Sequence, residues 1–181
     1  MYRLNPEDHP RPGIHGVLND FDLVSDENKL PGPHASMQRT GTRPFLANDL
    51  LRDTPVRHLY RHDLESFLHV LRWIGSRFNG PDREDTTVLK RWLTCEKEDL
   101  IGNRIVVDQL AFTPHYRSLV STYMALNSIF SQGQMKMSLL AGEFATDSEE
   151  YQAQNRTLCD SVTFESFMAA LEGGGSSDGT V

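Results

Sequence analysis

The stretch RHDLESFLHVLRWI, residues 61–74, opens an apolar set of Leu64, Phe67, Leu68, Val70, Leu71, Trp73, Ile74 and Phe78 at helical spacing. The set covers more than one face, so the pattern predicts a helix buried nearly all round rather than a surface helix with one apolar stripe. Asp63 stands just ahead of the run, where a carboxylate can accept from a free amide of the first turn, and Gly80-Pro81 ends the element. A helix of this character belongs at the centre of what packs around it.

Downstream, Val88, Leu89, Trp92 and Leu93 suggest a second helix over 86–94. A third, behind Thr113-Pro114, carries Tyr116, Leu119, Val120, Tyr123, Met124 and Leu126 and is closed by Gly133. The stretch from Asp147 to Arg156 is polar and reads as exposed. From Thr163 to Leu171, Phe164, Phe167, Met168 and Leu171 share one helical face before Gly173, and the closing GGGSSDGTV is a flexible tail.

Upstream, Pro6, Pro10, Pro12 and Gly13 make a loop, and Gly16-Val17-Leu18 reads as a short strand running into Asn19-Asp20-Phe21-Asp22. Residues Ser25 to Thr42 are polar, proline-bearing and aperiodic, a long surface loop of the kind that often carries function. The expected architecture is mainly α, a helical bundle around a central buried helix, with one short β element near the N-terminus.

The chain has 181 residues, about one domain on a prior of roughly 100–200 residues each. Apolar residues make 38% and charged residues 24%, a globular rather than a disordered balance. With 18 Lys and Arg against 25 Asp and Glu, the formal charge of -7 argues against nucleic acid or an anionic membrane as main partner. No apolar run approaches the roughly 20 residues that span a bilayer, and MYRLNPEDHPRPG lacks a signal-peptide core, so the chain reads as intracellular. Cys95 and Cys159 share no metal-ligand or redox spacing and read as reduced thiols. His58 and His62 stand four apart near Asp63 and Glu65, but Pro55 and the turn-like context favour a solvated helix entry over a metal site.

Three segments in order, GVLNDFDL at 16–23, RTGTRPFLANDLL at 39–51 and RHDLESFLHVLRWI at 61–74, resemble the fungal-type protein kinase family, and VTFESFMAAL at 162–171 resembles its last helix. The resemblance implies a protein kinase carboxy-terminal-lobe fold over residues 1–172, with 173–181 as tail. On residue chemistry alone Asp20 and Asp22 are turn formers at a strand end. The resemblance makes Asp20 the magnesium ligand of a D-F-G motif in which Asp22 replaces the glycine.

The same resemblance sets Thr40, Gly41 and Thr42 at the end of the activation segment. Thr42 then faces the catalytic aspartate, and Ala47-Asn48-Asp49 stands where A-P-E would be. Asp49 becomes the segment's anchor, paired with a distant arginine, and its side chain is one methylene shorter than the usual Glu. Asp63 becomes the aspartate at the start of the central helix, a role compatible with capping it. Ser25, Ser36, Thr40 and Thr42 are candidate phosphorylation sites beside Arg39 and Arg43.

Phosphoryl transfer further needs a Gly-rich phosphate loop, a strand Lys paired with a helix Glu, and an H-R-D-x-x-x-x-N loop, none of which the sequence contains. The expectation is a kinase-derived fragment that begins just after the catalytic loop. The family implies ATP, magnesium and a protein Ser or Thr substrate, but the fragment has no complete catalytic set and is inactive alone. The competing reading is a non-catalytic interaction module that uses the exposed lobe face or the helix at 86–94 to hold a partner protein, with Val88 and Trp92 the residues on which such binding would depend.

Overall fold

A computed structural model describes residues 42–52, 56–81, 83, 84, 89–106 and 112–174, all within Gly41–Val181, the second of two units into which the chain divides. The β element expected at 16–18, the loop from Ser25 to Gly41 and the end of the tail lie outside the described residues. Among those described the fold is helical, with no strand and one isolated antiparallel bridge between Phe78 and Glu84.

A 3-10 turn at Arg43–Phe45 leads into the short helix α1, Asn48–Leu51. Helix α2, Tyr60–Arg77, follows and is the long central helix of the sequence reading. It starts four residues earlier than expected, and Asp63 does not cap it. The Leu59 amide donates to His62 Nδ1 at 3.1 Å, and the His62 amide donates to the Leu59 carbonyl at 2.9 Å, so the imidazole satisfies the first turn. Asp63 lies inside that turn, exposed, and accepts from His58 Nε2 at 2.9 Å.

Helix α2 packs against α5, Val120–Leu140, and against both 3-10 turns, but not through apolar residues all round. Leu64 and Leu68 are buried, whereas Phe67 is 63% exposed and Ile74 37%. Most of the rest of the buried face is polar: Arg61, His62, Glu65, His69, Arg72, Ser76 and Arg77. The expectation of an apolar helix on every side is corrected here. These polar residues repeat at helical spacing of their own, and partners inside the fold offset much of the cost of removing them from water.

Three further boundaries differ. Leu89 has φ +57°, so the second helix cannot run back through it, and α3 is only Lys90–Thr94. Helix α4, Lys97–Val106, was not expected, because KEDLIGNRIV is polar with few apolar positions. Gly133 does not end the third helix: after a 3-10 turn at Pro114–Leu119, α5 passes straight through it. The polar stretch expected to be merely exposed contains α6, Glu149–Asn155, started by Ser148, whose Oγ accepts from the Tyr151 amide at 3.2 Å.

Gly133 is needed for packing. A Cβ there would stand 2.7 Å from Leu158 Cβ and 3.1 Å from Ser161 Cβ, in the corner between α6 and α7, Phe164–Gly174. That corner holds Leu158, Cys159 and Asp160 at φ +50°, +54° and +56°, a run costly for side-chain-bearing residues. Leu158, 1% exposed, is its wedge against α5. Thr163 and Ser166 then exchange bonds to start α7: each amide donates to the other's hydroxyl, at 2.9 and 3.1 Å.

The two helical glycines give opposite predictions. Gly133→Ala gains up to ~1 kcal/mol of helix propensity but forces a clash worth about 1–3 kcal/mol, so urea unfolding should show net destabilisation. Gly102→Ala, in α4 with nothing within 4 Å of the new Cβ, should stabilise by up to ~1 kcal/mol. A Gly133→Ala protein as stable as the unmodified one would refute the wedge.

Candidate functional site

The buried polar face of α2 holds residues 42–52 against the rest of the fold. Arg61, 1% exposed, donates from Nη2 to Asp49 Oδ2 at 2.7 Å and to Asn155 Oδ1 at 2.9 Å, and from Nε to the Asn155 carbonyl at 2.7 Å. His62, equally buried, places Nε2 3.8 Å from the same Asp49 oxygen. Arg52 approaches the other, with Nη1 3.6 Å from Oδ1.

One turn further along, Glu65 Oε1 accepts from the Asn48 amide at 3.0 Å. Helix α1 thus has its start capped by a side chain of α2 rather than by its own Ala47. His69 Nε2 lies 3.6 Å from the same Glu65 oxygen. From α4, Arg104 donates to Asn48 Oδ1 at 2.7 Å and to the Pro44 carbonyl at 2.9 Å. Arg72 in turn donates to the Arg104 carbonyl at 3.2 Å and to the Tyr123 hydroxyl at 3.1 Å.

Apolar contact closes the clamp. Ala47, Leu50 and Leu51 pack with Leu89, Trp92 and Leu100, and the Phe45 ring meets Trp73 edge-on at 5.5 Å. Trp92 is wholly buried, with the guanidinium carbons of Arg72 and Arg104 at 5.6 and 5.5 Å from its ring centre. A partner protein therefore cannot reach Trp92 directly; the apolar side chain that α3 shows to solvent is Leu93, 51% exposed.

Electrostatics follow this geometry. Burial pushes the Asp49 carboxyl up, but contact with His62 and the Arg61 guanidinium outweighs it and holds the group well below the usual carboxylate range. Glu65 is also held low: burial opposes this, and His69 and the Asn48 amide prevail. His62 and His69 are lowered chiefly by burial, only partly offset by their carboxylate neighbours. Burial likewise brings Arg104 down to about 10.

Of the residues singled out from sequence, Asp20, Thr40 and Gly41 lie outside the described residues. Thr42 is exposed, its carbonyl accepting from the Phe45 amide at 2.8 Å. Asp49 is in the clamp, and its arginine is Arg61, twelve positions away. Asp63 joins it only indirectly: His58, which binds Asp63, stacks on His62 with ring centres 5.7 Å apart. The solvated helix entry expected for the histidines is corrected, since His62 is turned inward and sealed. Sequence reasoning missed Arg61, His62, Glu65, His69, Arg72, Arg104 and Asn155 as site residues. The signal was present in α2, where 61, 65, 72 and 76 repeat at helical spacing.

Among the described residues no group of three or more His, Cys, Asp or Glu is placed to hold a metal, and no helix is long and apolar enough to cross a membrane. The site defines a helical domain in which a chain segment is clamped to a central helix by buried ion pairs. Residues 4–75, 72 of the 181, match the family model described as fungal protein kinase, so the chain is similar to that family over this stretch, which ends inside α2. The likeness of 162–171 to the family's last helix lies outside the matched residues. No curated protein and no solved structure matches.

The clamp predicts how stability varies with pH. Histidines held below their free value of 6.5 are neutral when folded and bind protons on unfolding, so their contribution is complete above that value and falls as pH drops through it. Asp49 and Glu65, held low, add a second loss below their free values of 3.8 and 4.5. Urea midpoints should rise from pH 5 to 7 and level off by pH 8. A midpoint that climbs on acidification from 7 to 5 would contradict the buried neutral imidazoles.

Proposed function

We propose that these residues form the substrate-side part of a protein kinase-like domain. In this reading, 42–52 is the closing portion of an activation segment that shapes the site for a Ser- or Thr-bearing protein. What supports it most is the Asp49–Arg61 pair, whose arginine is buried and which joins the aspartate at the A-P-E position to the central helix. Fixing such a segment is a positioning task, and positioning is most of what a protein contributes to phosphoryl transfer. Asp20 would hold magnesium, which would supply positive charge against the charge that develops on the transferring phosphate. In this reading Thr42, exposed at the start of the clamped segment, would meet substrate.

The 181 residues carry neither a Gly-rich phosphate-loop motif nor an H-R-D motif, so in this reading they do not transfer phosphate by themselves. Purified 1–181 incubated with magnesium and radiolabelled ATP, with and without a Ser/Thr-rich protein substrate, should incorporate no label above a blank. Autophosphorylation by the pure chain would overturn this.

A second reading, a non-catalytic module that holds a partner protein, draws on the outer face of α2. Tyr60, Phe67 and Ile74 are 45%, 63% and 37% exposed along one helical stripe, and stripes of this kind mark protein contacts. The chain should take up a hydrophobic dye and self-associate on size-exclusion chromatography at high concentration, and Phe67→Glu should diminish both. A dye-silent monomer would remove this reading.

A further inference from the structure

Arg61 is described above as the partner of Asp49, yet two of its three hydrogen bonds go to a residue 94 positions further along the chain. Both the carbonyl and the side-chain oxygen of Asn155 accept from it. We propose that Asn155 is a positioning residue for the 42–52 segment: by fixing the plane of the Arg61 guanidinium, it sets where the Asp49 carboxylate is held.

A guanidinium is a rigid planar fork, and its contact with a carboxylate fixes the plane only when two donors meet two oxygens. Here Nη2 alone meets Oδ2 of Asp49, so the Asp49 contact leaves the plane free to turn about that one bond. The two Asn155 bonds, one from Nε and one from Nη2, remove that freedom. Nη1 is buried without a hydrogen-bond partner, so no further bond orients the group.

Asn155 can serve this way because contacts other than Arg61 also fix its position. It is the last residue of α6, and the chain beyond it is tied into the left-handed corner. The Cys159 amide donates to the Gln154 carbonyl at 2.9 Å and the Val162 amide to the Thr157 carbonyl at 2.8 Å. Leu158 wedges that corner against Gly133 of α5. Placement thus passes from Gly133 through the corner to Asn155, then through Arg61 to Asp49 and residues 42–52, so the 155–162 corner belongs to the machinery that holds the segment.

The functional meaning rests on reading 42–52 as a substrate-facing segment, but its test does not. Phosphate transfer by the pure chain would overturn its predicted inactivity alone and leave both that reading and the placement of Asp49 untouched. The test is amide exchange on the full chain, following Leu50 and Leu51, whose amides donate to the Ala47 carbonyl at 3.0 and 3.2 Å. In Asn155→Ala these amides should exchange about tenfold faster, while those of α5 keep most of their protection. Asn155→Asp, which retains the acceptor, should restore the slow rate. Leu126→Ala, which weakens the core without touching Arg61, should not single out Leu50 and Leu51. Equal loosening in Asn155→Ala and Leu126→Ala, no selective loss in Asn155→Ala, or no rescue by Asp would each overturn the proposal. Should Asn155→Ala not fold, the Arg61 Nε–H of the unmodified chain decides: slow exchange supports the proposal, and exchange at the rate of a free arginine side chain overturns it.

Discussion

A guanidinium keeps its proton at any pH a folded protein tolerates, so an arginine removed from water must find acceptors or the fold does not form around it. Arg61 is 1% exposed and meets this demand from both directions along the chain. Asp49 supplies the charge and Asn155 two neutral oxygens. A segment before α2 and a corner after α5 are brought to one point because the cation between them requires it. Glu65 and Arg104 repeat the arrangement a turn away, each reaching Asn48, so α1 is held by side chains of α2 and α4. A helix of four residues has too few bonds to persist unaided, and this one depends on tertiary partners at its start.

The existence of the central helix was legible from Leu64, Leu68 and their neighbours, whose spacing is helical whatever they touch. Which stripe faces inward was not. Arg61, Glu65, Arg72 and Ser76 share helical spacing too, and a stripe of charges on a lone sequence reads as the wet side. Only the partners, lying twelve to 94 positions away at Asp49, Asn48, Arg104 and Asn155, make burial affordable, and no local pattern announces them. The same reason explains Trp92: as a large aromatic on a short helix it could have faced a partner, but two arginines and Trp73 enclose it.

Local rules also misled where a residue acts through space rather than through its own backbone. Gly133 looks like a stop because glycine ends helices, yet its missing side chain admits Leu158 within a continuous helix. Asp63 looks like a cap because carboxylates accept first-turn amides, yet His62 had already done so from the position before it. The similarity to fungal protein kinases covers residues 4–75, which include Asp49 and most of α2. The arginine that holds Asp49 is Arg61, on the adjacent helix and twelve positions away.

The central claim is that buried Arg61 and half-buried Asp49 are a mutually dependent pair. A double-mutant cycle of Asp49→Ala and Arg61→Met by urea unfolding measures that dependence. Either substitution alone leaves a charge stranded and should cost about 3–5 kcal/mol, and the two together much less than their sum, a coupling of at least ~2 kcal/mol. A coupling below about 0.5 kcal/mol, the level of an exposed pair, would contradict the account.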